Sequence, residues 1–334
     1  MASSTIEVAL SSDRRFYPGL LVSACSMAEN ISRGCDVVFH VIDGGIGAEL
    51  RQDLERRLKK LNSRSRVNWL SVNEDVFAGL PEWRGYGKMT WARLMLSRLL
   101  PHSDWVIYYD VDYLCLADMA VLWQARDENV SLMSTSDCWS LTVDSEKAWT
   151  SAHGLKYDAA RNFCAGFCFF NLRRIRECGY DKKLLDVALK YSDAPSVDQS
   201  VLNTVFNSSD ELRLLPRKWQ AYALDMTRED VSEQNNLHFS GEAPWVCVRR
   251  NRVLDDAAVF WFRYYAKLHG ITTWKAMRKF YSAFDVIVYR SLFLAFSHSQ
   301  FLRSLLFAYF HAIGRHESIK IYTAWLRRIR LPEV

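Results

Sequence analysis

Several features are scarce in this 334-residue chain, and each scarcity excludes a class of protein. Seven prolines and fourteen glycines, with no low-complexity tract, exclude a collagen-like or linker-rich chain. No uninterrupted apolar run reaches about 18 residues, so no segment reads as a membrane span. The eight cysteines (Cys25, Cys35, Cys115, Cys138, Cys164, Cys168, Cys178 and Cys247) never form a C-x-x-C pair. That spacing argues against a zinc ribbon or a thioredoxin-like site. Cys115, Cys164 and Cys168 sit among apolar neighbours and read as small core residues. The opening MASSTIEVALSSD has no charged segment followed by an apolar one, so no secretory leader is expected, and a cytoplasmic setting with reduced thiols is. No nucleic-acid-binding motif occurs either.

Apolar residues make up 49% and charged residues 24% of the chain, enough to bury a core and to exclude wholesale disorder. The length suits two domains, or one large α/β domain with an appendage. Charge divides the chain at residue 260. Residues 260–334 hold twelve Lys and Arg against three acidic residues, a balance of +9, which leaves −4 for the first 259 residues. The same stretch holds eighteen aromatics, among them Trp261, Tyr264, Tyr265, Trp274, Phe293, Phe296, Phe307 and Trp325. Its SLFLAFSHSQFLRSLLFAYFHAIG has helical spacing, flanked by Arg290 and interrupted by Arg303. Such a mixture suits helices in the interface of an anionic membrane. The alternative is helices packed on the main domain with a solvated basic face. The expected organisation is therefore a body over 1–259 and a helical basic and aromatic appendage over 260–334.

The body alternates strand and helix patterns. IEVALSS, Cys35–Ile42, Val67–Val72 and Trp105–Asp110 read as strands; Tyr17–Asn30, Ala48–Leu61 and Thr90–Leu100 read as helices. WVIYYD is nearly continuously apolar, as a strand buried on both faces must be. The alternation predicts an α/β fold with a mainly parallel, doubly wound sheet. Such sheets bind ligands beyond the carboxyl ends of their strands, which places Ser11–Tyr17 and Asp110–Asp112 on one rim.

Asp110 and Asp112 lie two apart directly after a buried strand. On extended chain they face one way, and two carboxylates facing one way make a site for a hard divalent cation. With 23 aspartates in the chain, about one or two such triplets arise by chance. Context must therefore carry the reading against a merely solvated turn. His238, in NNLHFSGEAPW, is either a core histidine or a ligand. Gly241 lets the backbone approach a ligand closely, and Pro244-Trp245 fixes the next turn.

Five segments in order resemble glycosyltransferase family 8, the retaining nucleotide-sugar transferases of GT-A fold. They are VALSSDRRFYPGLLVSACSMAEN, WARLMLSRLLPHSDWVIYYDVDYLCLADMAVLW, NFCAGFCFFNLRRIR, SVDQSVLN and LHFSGEAPW, spanning about residues 5 to 250. The resemblance implies that Asp110, Asp112 and His238 hold a metal, Mn²⁺ rather than Mg²⁺ because imidazole suits transition ions. It implies that Asp13 contacts the nucleotide, that Tyr17 lies beside the uracil, and that Arg93 touches the donor. Asp137 matches a sugar-contacting aspartate, Asp198 a carboxylate on the donor-sugar hydroxyls, Gln199 the residue facing the anomeric carbon, and Gly241 a glycine at the diphosphate. Plainer roles stand beside these: Asp13 capping the following helix, Asp198 opening the helix SVLNTVF, and Arg93 on a helix surface.

Three departures from the family pattern are visible. Cys164 stands where the family has asparagine, which removes one amide from the sugar pocket and leaves open whether Asn162, two residues earlier, compensates. The closing motif is one residue short and lacks its lysine, leaving Arg249, Arg250 or the metal to offset diphosphate charge. The first turn has one extra residue, with Arg14 and Arg15. The implied activity is transfer of glucose or galactose, with retention, from UDP-glucose or UDP-galactose to a glycan or glycolipid acceptor such as a lipopolysaccharide core. The implied location is cytoplasmic, peripheral on the inner face of a membrane. A non-catalytic UDP-sugar-binding scaffold and a self-glycosylating, glycogenin-like primer are the alternatives.

Overall fold

The computed structural model describes residues 5–32, 34–82, 88–137, 140–223, 233–240, 243–245, 256–287, 291 and 299–312. The chain divides into two units, Met1–Gln220 and Ala221–Val334.

In the first unit, β1 (Ile6–Ser12), α1 (Tyr17–Asn30), β2 (Val37–Asp43), α2 (Ala48–Leu61) and β3 (Ser65–Leu70) follow in the expected alternation. β4 (Trp105–Tyr109), the short β5 (Tyr113–Cys115), β6 (Leu132–Ser136), β7 (Phe163–Asn171) and β8 (Leu212–Leu215) complete its strands. Seven strands form one sheet in the order β3-β2-β1-β4-β7-β6-β8. All neighbours run parallel except β7, which is antiparallel to both β4 and β6. The expected mainly parallel, doubly wound sheet is therefore present.

The local chemistry explains the elements. Pro18 stands at the start of α1, where its missing N–H is no loss. Gly47, at φ +91°, begins α2 with a backbone conformation that side chains disfavour. α2 buries only Leu54 and Leu58, one turn apart, which is the mark of a surface helix. By contrast every residue of β4 and β7 is buried, so the centre of the sheet is covered on both faces. Val106, Tyr108, Cys168 and Phe170 belong to one core cluster, which includes Leu184 and Ala188 of α7 (Tyr180–Lys190) and Val201 and Leu202 of α8 (Asp198–Phe206). On the other face Phe169 meets Trp105 edge-on at 4.9 Å and stacks on Trp123 at 5.4 Å. Burial pushes the thiols of Cys25 and Cys115 up to about 12, as expected of inert core residues. Neither is in a disulfide, nor are Cys35, Cys164, Cys168 and Cys178.

The predicted helix over Thr90–Leu100 is corrected. Lys88–Met95 is a 3-10 helix, and only Leu96–Leu99 is α-helical. The reason lies in two inward side chains. Trp91 is fully buried and donates to the Pro81 carbonyl, while Arg93 Nε donates to the carbonyl of Thr90. Tighter winding brings both under the sheet rim.

In the second unit, β9 (Ala221–Tyr222) and β10 (Asn236–His238) pair in parallel. Helices α9 (Asp256–His269), α10 (Thr273–Arg278) and α11 (Gln300–Ala312) give the expected helical extension. Residue 260, the expected domain boundary, lies inside α9. Its aromatics make a core: Trp261 stacks on Trp245 at 5.3 Å and on Tyr265 at 5.4 Å, and Tyr281 donates to the Pro244 carbonyl. Among the described residues no helix is long and apolar enough to cross a membrane.

Candidate functional site

Parallel pairing sets Val8 beside Ile107 and Ala9 beside Tyr108, so β1 and β4 leave the sheet on the same rim. β2 joins them there, with the Gly44 N–H donating to the Ser12 carbonyl. At the end of β1, Asp13 Oδ1 accepts from the Phe16 N–H at 2.9 Å and so orders the turn into α1. Asp13 does so without capping α1, whose N-cap residue is Phe16, with no side-chain cap bond. Tyr17 is 7% exposed, and its hydroxyl donates to Asp53 of α2 at 3.0 Å.

Arg93 is the hub of the rim. It is 6% exposed, which removes the surface-helix alternative. Its NH2 donates to Asp110 Oδ1 at 2.9 Å and its NH1 to the Ala165 carbonyl at 2.7 Å. Its Nε lies 2.8 Å from Asp198 Oδ2, and its guanidinium stacks over the Tyr108 ring at 4.4 Å. Burial alone would lower its pKa; Asp110 and Asp198 outweigh burial and hold it well above the ordinary arginine value. Tyr108 also donates to Asp110 Oδ1 at 2.9 Å. Asp110 is thus oriented by two fixed donors.

Asp198 opens α8, as its alternative reading expected, and is 6% exposed. Thr90 donates to its Oδ1 at 2.8 Å. Burial pushes this carboxyl up, against the pull of Arg93 and Thr90. Gln199 is oriented at both ends: its Oε1 accepts from the Ala165 N–H, and its Nε2 donates to Asp137 Oδ2, each at 3.1 Å. Asp137 is nearly buried and exchanges contacts with Asn162, whose Nδ2 donates to the Asp137 carbonyl at 2.9 Å. The structure therefore gathers Arg93, Asp110, Asp137, Asn162, Asp198 and Gln199 into one connected polar network. The residue before Asp198 is Val197, at φ 53° and ψ −117°. It is the only non-glycine with positive φ among the described residues. A β-branched residue there is a true outlier, costing about 1–3 kcal/mol.

Asp110 and Asp112, two apart directly after β4 and both half-buried, offer two carboxylates to one metal ion. His238 is buried and stacks on Tyr222 at 5.4 Å. A close neighbour explains Gly166: a Cβ there would meet Asp110 Oδ2 at 2.9 Å and the Tyr113 hydroxyl at 3.0 Å. Gly166→Ala is expected to cost about 1–3 kcal/mol through overpacking and to weaken divalent-cation binding by displacing Asp110. Urea denaturation and calorimetric titration with Mn²⁺ check both.

Cys164 is buried, and its Sγ accepts from the Gly166 N–H at 3.4 Å. Asn162 has its Nδ2 engaged at the Asp137 carbonyl, while its buried Oδ1 accepts no hydrogen bond among the described residues. Gly241, Arg249 and Arg250 lie outside the described residues. The sequence reading missed Tyr108, Thr90 and Val197. Tyr108 had a signal, since it lies two before Asp110 on the same strand face; the other two had none.

Three kinds of comparison bear on this arrangement. The family model described as glycosyl transferase family 8 matches residues 7–246. A curated protein of Haemophilus influenzae, whose glycosyltransferase description is itself provisional, is 26% identical over 206 residues, or 61% of this chain and 60% of its own length. The galactosyltransferase LgtC, solved with donor and acceptor sugar analogues, is 20% identical at a TM-score of 0.64, covering 81% of this chain and 100% of LgtC. The apo structure of the bifunctional glycosyltransferase WbbM is 16% identical at a TM-score of 0.62, covering 80% of this chain. The chain spans 60% of the length of its curated relative and 51% of the WbbM chain. The two solved structures establish a likeness of fold, GT-A-like. The family model spans all the segments that carry the network described above, and on that match the chain belongs to glycosyl transferase family 8.

Proposed function

We propose that this chain transfers glucose or galactose, with retention of configuration, from a UDP-sugar to a glycan acceptor, with Mn²⁺ as cofactor. The observation that carries the reading is the Asp110 and Asp112 carboxylates standing next to the Arg93–Asp198 pair; His238 is the proposed third ligand. The donor set fits the ion. Asp110, Asp112 and Asp198 bring three negative charges to one guanidinium, an imbalance of two that a divalent cation offsets. One imidazole among carboxylates favours a transition ion such as Mn²⁺ over Mg²⁺ or Ca²⁺. When bound, such an ion stabilises charge on a departing diphosphate without proton transfer.

The chain's own residues orient the sugar. Asp198, Asp137 and Asn162 offer acceptors to its hydroxyls, and Gln199 presents a fixed carboxamide dipole toward the anomeric carbon. Both Asp198 oxygens are engaged, by Thr90 and by Arg93, and a carboxamide is a poor nucleophile. These contacts favour attack on the face from which the diphosphate leaves, with the diphosphate taking the acceptor's proton. Asp13 would meet the nucleotide at the end of β1, with the Tyr17 ring beside the uracil and the Gly241 backbone at the diphosphate. A solved LgtC variant with an active-site glutamine changed to glutamate supports placing Gln199 at the reaction centre.

The acceptor is proposed to be lipid-linked, and the chain to work in the cytoplasm at an anionic membrane surface. Trp274, Phe284 and Ile287 are exposed apolar side chains, with exposed Lys275, Arg278 and Lys279 in the same short stretch of chain. Replacing those three apolar residues with Ala is expected to lower affinity for anionic lipid vesicles by at least about tenfold while leaving UDP binding unchanged. Equal vesicle sedimentation would remove the membrane assignment. The activity itself is tested by a UDP-hexose screen with Mn²⁺ and a broad glycan panel. UDP release, abolished by chelation, with a product retaining the anomeric configuration, is the expected result. No release from any UDP-hexose would favour the second reading, a UDP-sugar-binding scaffold, for which the missing lysine and Cys164 speak. In that case Cys164→Asn leaves turnover absent.

A further inference from the structure

One buried carboxyl has no part in the transfer chemistry above. Glu146, in α5 (Ser140–Ala152), is 0% exposed. Its Oε1 accepts from Ser200 Oγ at 2.6 Å. The same Ser200 Oγ accepts from the Ser196 N–H at 2.9 Å, so the Glu146–Ser200 contact reaches across to Ser196. Glu146 therefore holds both sides of a four-residue turn, Ser196 to Gln199, closed by the Gln199 N–H on the Ser196 carbonyl at 3.0 Å. Val197 is the second residue of that turn. Its φ of 53° and ψ of −117° are those of a type II′ turn, where glycine is the usual occupant. A buried valine in that conformation persists only where its surroundings over-determine it. Its own side chain is packed in the core, and the Glu146–Ser200 contact closes the turn from the other side. Burial, with Asp137 nearby, raises the Glu146 pKa against the pull of the two serines.

We propose that Glu146 is a positioning residue: acting through Ser196 and Ser200, it clamps the Val197 turn and thereby sets the direction of Asp198 and Gln199. The inference rests on the transferase reading for its kinetic consequence and on geometry alone for the clamp. Without the clamp, Val197 returns to negative φ, and the two side chains that follow swing away from Arg93 and Asp137. Misplacement of a reacting group by about 1 Å can cost roughly 10²-fold in rate.

The test compares crystal structures and donor kinetics of wild type, Glu146→Ala, Glu146→Gln and Ser200→Ala. In Glu146→Ala, Val197 is expected at negative φ, Gln199 off Asp137, and kcat down by about 10- to 100-fold, with the donor KM within about threefold. Glu146→Gln keeps an acceptor for Ser200 and is expected to restore the turn and most of kcat. Ser200→Ala removes only the bridging hydroxyl, so it tests the clamp even where Glu146→Ala fails to fold. Val197 remaining near +53° in Glu146→Ala or Ser200→Ala overturns the proposal, as does an equal kcat loss in Glu146→Gln and Glu146→Ala. A wild type without turnover sinks the transferase reading, while the Val197 geometry of the variants still decides the clamp.

Discussion

Asp112→Asn is expected to lower kcat by at least about 10³-fold, equivalent to ~4 kcal/mol of transition-state stabilisation, and to abolish measurable Mn²⁺ binding. Asp112 is the cleaner probe of the two rim carboxylates, because Asp110 also pairs with Arg93 and accepts from Tyr108. An amide at Asp112 keeps the shape of the side chain but removes one of the two negative charges that Arg93 leaves unbalanced. On the proposed reading, the deficit would fall on a departing diphosphate, whose growing charge would meet a weaker cation site. Folding stability should change little, since Asp112 is only half-buried. Calorimetric titration with Mn²⁺ and steady-state UDP release make the test. Full activity and unchanged sensitivity to chelation would show that the cation, if used, is held elsewhere.

Arg93→Met is expected to be the most destabilising substitution at the site, by about 3–5 kcal/mol. Methionine fills much of the space but leaves Asp110 and Asp198 without their shared cation, and Asp198 is buried. It also removes the donor to the Ala165 carbonyl and the stacking over Tyr108. For a chain of this size that loss corresponds to roughly 10 °C in melting temperature. The pH dependence gives a sharper check. Without Arg93 the folded-state pKa of Asp198, already pushed up by burial, loses the pull that opposes burial and rises further above its unfolded value. A group raised in this way stabilises the fold below its unfolded pKa and loses that contribution as pH rises through its folded pKa. The stability gap between variant and wild type should therefore narrow as pH falls from about 8 to about 5. Urea unfolding across that range measures it; a gap independent of pH would mean that lost packing, not orphaned charge, is the cause.

The site was legible in the sequence wherever its residues lie at the ends of strongly patterned elements. WVIYYD could only be a doubly covered strand, so Asp110 and Asp112 had to emerge at its end. SVDQSVLN could only turn into a helix, so Asp198 and Gln199 had to stand at its beginning. The helix over Thr90–Leu100 was misjudged because its leucines have helical spacing, whereas its backbone answers to Arg93 and Trp91, which are drawn inward by partners elsewhere in the chain. Tyr108 was hidden by its own pattern: in an apolar run a tyrosine reads as core, and core it is, with its hydroxyl on Asp110.

By itself the sequence determined the alternating α/β order, the rim on which the carboxylates stand, and the family to which the motifs point. Those features depend on spacing along a few residues, where periodicity and turn chemistry act directly. Only the tertiary structure decided that Arg93 lies buried between Asp110 and Asp198, that Thr90 holds a carboxylate 108 positions away, and that Glu146 grips a serine 54 positions away. Such contacts leave no local trace, because a buried charge or a strained valine is tolerated only where partners distant in the chain converge to neutralise or hold it.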